Sequence, residues 1–144
     1  MHLQKQLLRF SELGSANNLA FTSQLILVNR IIGLDGIRKT LLVMEVRPGN
    51  NSWYMVRLKE ISSCKVKMIY KPSRSAGVNG WIDEQHLEKI AIRFHKEDQK
   101  TSVLLPFYES GSNNIIEATA LAKTASYWES MLSKLINNNI KKIA

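Results

Sequence analysis

The sequence predicts an α+β, mainly β domain: an antiparallel run of six to seven strands closed by one C-terminal helix, with an extra helix at the N-terminus. Three observations lead there. From about residue 20 to residue 107 the apolar residues fall in short β-branched runs or alternate with polar ones, the period of strands. An Asp-Gly step and several Pro, Gly and Asn clusters punctuate those runs at turn-like intervals. After residue 113 the apolar spacing changes to three and four, the period of an amphipathic helix.

The first element covers residues 2–15, where Leu3, Leu7, Phe10 and either Leu13 or Leu8 make one apolar stripe. Gly14 and the pair Asn17, Asn18 are expected to end it. A helix this short is marginal alone, so its stripe must pack on the strands, on a second copy of the chain or on a neighbouring segment. Then come QLILVNRIIGL and IRKTLLVMEV, read as strands at 24–34 and 37–47. Asp35 and Gly36 between them suggest a two-residue type I′ hairpin, whose central residues both need positive φ. The turn RPGNNS leads to a third strand at 53–58, and KEISS breaks before a fourth, CKVKMIYK, at 64–71.

Residues 72–85, PSRSAGVNGWIDEQ, hold neither period and are expected to form a long loop. HLEKIAIRFH and TSVLLPF flank HKEDQK as a further hairpin, with strands at 86–95 and 101–107. Asn113 or Asn114, with Glu117 a few positions on, caps the last helix, whose stripe is Leu121, Ala125, Trp128, Leu132 and Leu135.

A chain of 144 residues is long enough to bury a core without disulfides or a metal. The lone cysteine, Cys64, fits a reducing compartment, so cytoplasmic localisation is expected, with membrane association as an addition to it. No apolar run reaches the roughly 20 residues of a membrane-spanning helix, and the start lacks a secretory pattern. The formal charge of +8 favours acidic partners.

The sequence points away from catalysis. His2, His86 and His95 are scattered, and no CxxC, HExxH, GxSxG or Walker spacing occurs. Asp83, Glu84, Glu88, Glu97 and Asp98 have no partner spacing for acid and base work. Cys64 falls on the inward side of its strand, where a thiol serves as a small apolar group. No catalytic residue, metal ligand or cofactor is expected.

Binding is the remaining class. If Val66 and Met68 point inward, alternation turns Lys65, Lys67 and Lys71 outward, and the same rule turns out Arg57, Lys89 and Arg93. These six form a candidate face for an anionic partner, although basic residues on a sheet face also serve simply as a solvated surface that discourages edge pairing. Stacking aromatics are sparse there, so nucleic acid is not an expected partner. Trp81, in a Gly-flanked stretch, is a candidate anchor for a partner when it does not fold back on the strands.

The run of antiparallel strands followed by one amphipathic helix with a central Trp resembles the pleckstrin homology-like (PH-like) domains, those of bacteria most of all. The stretches LLVMEV, YMVRLKEISSCKVK and LLPFYES, with the helix at 113–137, carry the likeness. It divides the chain into an N-terminal helix and connector at 1–20, a PH-like domain at 21–137 and a tail at 138–144. The resemblance implies a barrel plugged at one end by the helix, and binding or scaffolding of another protein or a second copy. It implies phosphoinositide binding too, but the phosphate-cradling loop of lipid-binding members is here only the tight GLDGI. The alternative is a peripheral membrane protein that meets anionic lipid through its basic sheet face.

Overall fold

A computed structural model describes residues 3–77, 80–98 and 100–143, with the side chains of 73–77, 80–85 and 138–143 outside the description. Helix α1 is Leu3–Ala16, strands β1 to β4 are Ser23–Ile26, Arg30–Asp35, Thr40–Glu45 and Ser52–Arg57, strands β5 to β7 are Ile61–Gly77, Gly80–Lys96 and Ser102–Glu109, and helix α2 is Ala118–Ile143. The strands form two antiparallel sheets in chain order, β1-β2-β3-β4 and β5-β6-β7, and among the described residues they close no barrel. Two compact units divide the chain: Met1–Ile61 with Leu135–Ala144, and Ser62–Lys134.

In the first unit α1 packs on its own sheet. The register pairs Ile31 with Met44 and Gly33 with Leu42, and alternation places these four on one face. Phe10 joins Ile31, Leu42 and Met44 there, flanked by Leu7, Leu13, Leu19, Phe21, Val46 and Met55. Leu13 therefore belongs to the stripe, whereas Leu8 is 62% exposed. Gly14 does not stop the helix. It lies inside α1 and buried, and a Cβ there would stand 2.7 Å from the Phe21 ring. The stop is Asn18, with φ of 58°, while the Leu19 N–H reaches back to the Gly14 carbonyl at 2.9 Å, a Schellman closure. Gly33 is the matching notch on β2, where a Cβ would meet Phe21 at 2.7 Å and Phe10 at 2.9 Å. The two rings stack with centroids 4.9 Å apart.

The expected strand at 24–34 is two strands. LILV carries a strand pattern, but β1 ends inside it at Ile26, and the Leu27 N–H turns back to the Arg30 carbonyl at 2.8 Å. The Asp-Gly turn also differs from a type I′ hairpin. Four residues lie between β2 and β3, and the positive φ falls on Lys39, at 53°. Asp35 holds this loop instead: its carboxylate accepts from the Ile37, Arg38 and Ala20 N–H groups at 2.9–3.0 Å and from the Arg38 guanidinium at 3.0 Å. Burial pushes the Asp35 carboxyl up, but these donors and the Arg38 charge outweigh it and hold it below the ordinary value.

In the second unit β6 and β7 pair with a register shift between Ile90 and Ala91 that skips Phe107, next to Pro106. Proline cannot donate to a ladder, so it sits where the ladder is already irregular. The turn after β6 is held by Asp98, which accepts from the Lys100 and Thr101 N–H groups at 2.9 and 3.1 Å. The loop expected at 72–85 is replaced by strand: β5 runs to Gly77 and β6 starts at Gly80, so pairing overrides the Pro, Ser and Gly content. Asn114 and Glu117 form the expected capping box, at 3.1 and 2.9 Å, around a 3-10 turn that leads into α2. Ala125, Trp128 and Leu132 are buried as the stripe requires, and the helix runs on through the expected tail to Ile143.

Candidate functional site

Alternation along β5 is borne out only at its start. Cys64 is buried and Lys65 exposed, but Val66 is half-buried and Met68 is 49% exposed, so Met68 does not enter the core. The cause lies in α2. Its Glu129 carboxylate accepts from the Val66 N–H, and its Ser133 hydroxyl lies 3.5 Å from the Cys64 thiol, so the helix hugs β5 at these positions. One to three turns nearer its N-terminus α2 presents Ser126, Ala122, Thr119 and Ala118, side chains too short to cover the continuing strand. Met68 of β5 and Leu87 and Ile90 of β6 then line an open, mostly apolar groove of about 520 Å³ against those small residues, with Lys123 on its lining as well. The volume is within the range of ligand sites. Sequence reasoning missed this groove; its one local signal is the small-residue spacing of Ala118, Ala122 and Ser126, four apart.

The predicted basic residues do not share one environment. Arg57 is exposed between buried Val56 and Leu58, on β4 of the first unit, and the other five belong to the second. There Lys65 and Lys71 are exposed, while Lys67, Lys89 and Arg93 are half-buried. Lys89 faces Glu109 across the β6–β7 ladder with an ion pair at 3.9 Å. The Ser62 hydroxyl donates to the His95 carbonyl on neighbouring β6 at 3.1 Å. The side chain of Trp81 lies outside the described residues.

Burial pushes the Cys64 thiol up; Ser133 opposes this and Glu129 adds to it, so the sulfur is protonated and poor as a nucleophile. Among the described residues no group of three or more His, Cys, Asp or Glu side chains converges as metal ligands. Nor is any described helix long and apolar enough to cross a membrane. His86 is exposed and His95 half-buried, whereas His2 lies outside the described residues. No protein-family model, curated protein or solved structure matches the chain.

Proposed function

We propose that the chain is a non-catalytic binding module of PH-like type, and that its groove between β5, β6 and α2 takes an extended segment of another protein. The groove itself carries the reading. It is apolar and open, and it lies beside β5, the last strand of its ladder. Alternate side chains of such a segment would enter between Met68 and the small residues of α2, and an acidic one would meet Lys123. The same unit exposes Tyr70 and Tyr127, at 50% and 67%, aromatic surface of the kind protein contacts use. Seven sequential antiparallel strands followed by a helix with buried Trp128 support the PH-like assignment.

The test is selection of peptides from a random displayed library on the purified protein, followed by titration against Ala122→Arg. That variant fills the groove from a half-buried position on its α2 wall. Selected peptides are expected to lose most of their affinity for it while its melting temperature stays unchanged. Peptides that bind both proteins equally, or none recovered at all, refute the reading. Exposed Lys65 and Lys71 favour a second reading, peripheral contact with anionic lipid. Under that reading vesicle binding falls steeply with salt and is lost in the double variant Lys65→Glu, Lys67→Glu.

A further inference from the structure

We infer that a second site, in the first unit, binds a phosphate or phosphomonoester group. Helix α1 and the turn between β3 and β4 enclose a polar cleft of about 180 Å³ lined by Lys5, Gln6, Arg9, Arg47, Gly49, Asn50 and Asn51. Lys5 and Arg9 are four apart on α1 and so share its face. They are exposed, and neither makes an ion pair with a described residue. Arg47 lies 2.9 Å from Glu45, but that carboxylate also faces the buried Arg30 at 3.7 Å. One anion is thus set against two guanidinium groups, and with Lys5 and Arg9 the cleft keeps a clear positive excess.

The amides sharpen the selection. A backbone N–H can only donate, so the bond from the Arg47 N–H to Asn51 at 3.3 Å fixes the Asn51 oxygen as its acceptor. The Asn51 nitrogen must then donate to Gln6, at 2.6 Å, which fixes the Gln6 oxygen in turn. Both amide oxygens are occupied inside the wall. What Gln6 has left for the cleft is its NH₂ group, beside the ammonium of Lys5 and the guanidinium groups of Arg9 and Arg47. The wall is held in place by a type II turn over Arg47–Asn50, closed by the Asn50 N–H to the Arg47 carbonyl at 3.3 Å, with Pro48 second and Gly49 third at a φ of 79°. A cleft of donors and cations this small fits a compact oxyanion rather than a large organic ligand. Helix α1 lies outside the stretch that resembles PH-like domains, so the resemblance does not supply this site.

Isothermal titration in low-chloride buffer with inorganic phosphate and with glycerol 3-phosphate tests for a soluble ligand. Co-sedimentation with phosphatidylcholine vesicles carrying phosphatidic acid, against vesicles carrying phosphatidylserine, tests for a lipid phosphomonoester. Binding in either arm supports the site, and which arm responds identifies the source. Gln6→Glu keeps the oxygen that Asn51 needs but replaces the free NH₂ by an oxygen, and Arg9→Gln removes an exposed cation. Each is expected to weaken binding about tenfold or more, as for a lost charge-assisted hydrogen bond. Lys59→Gln changes the net charge by the same amount away from the cleft and is expected to leave binding within about twofold. No binding in either arm, or an equal loss with Lys59→Gln, overturns the inference.

Discussion

Replacing Gly33 by alanine adds a single methyl group, yet it is expected to destabilise the first unit. The new Cβ would stand 2.7 Å from two carbons of Phe21 and 2.9 Å from one of Phe10, where carbon contacts are best at about 3.5–4.0 Å. Neither ring has an easy retreat, because Phe21 is held from the other side by Gly14 and Phe10 is only 1% exposed. Overpacking of this kind costs about 1–3 kcal/mol, and parting the stacked pair adds about 0.5–1.5 kcal/mol. The lower backbone entropy of alanine offsets about 0.5–1 kcal/mol. The net expectation is a loss of about 2 kcal/mol. Urea denaturation followed by circular dichroism reads it, and a double-mutant cycle with Phe21→Ala isolates the cause. With the Phe21 ring gone the methyl has room, so Gly33→Ala should cost at least about 1 kcal/mol less in that background. Equal costs in both backgrounds would refute this account of how α1 is seated.

Two further outcomes follow from the same physical reasoning. Asp35→Asn should cost about 1–3 kcal/mol near neutral pH, because one acceptor oxygen becomes a donor facing donors; since the native carboxyl titrates below its ordinary value of about 3.9, its contribution is complete above that pH and fades as pH falls through the lower folded value, so denaturation curves of the two proteins should converge in acid. Trp128→Ala, at a side chain only 4% exposed on the buried stripe of α2, should cost about 3–5 kcal/mol by denaturant midpoint, and coincident midpoints would show that the ring is not part of the core.

Local physics was readable from the sequence and tertiary placement was not. The cap at Asn114 with Glu117, and the stripe through Ala125, Trp128 and Leu132, depend on bonds three or four residues long, so sequence spacing reveals them. The break between β1 and β2 begins inside the apolar run LILV, after Ile26, where no local pattern marks it. Gly14 looked like a terminator because glycine ends many helices; its actual partner, Phe21, is a neighbour only after the chain reverses. The small residues of α2 matter only because β5 outruns the helix's larger side chains. The cleft of Lys5, Arg9 and Arg47 joins positions about forty residues apart, and no local pattern announces that meeting.

The Asp35 carboxylate closes loops of very different length with two oxygens. Its bonds to Ile37 and Arg38 span two and three residues, whereas its bond to Ala20 spans fifteen. Short loops close fastest and at the least entropic cost, so the β2–β3 loop can assemble while the chain is otherwise unfolded. Its Oδ1 is then occupied by two backbone donors, but Oδ2, held only by the exposed side of Arg38, still faces the place where the connector from α1 must arrive. The hairpin of β2 and β3 thereby becomes a template, and the N-terminal helix a late arrival that completes it. On that order α1 and its connector, made before the hairpin, are fastened after it.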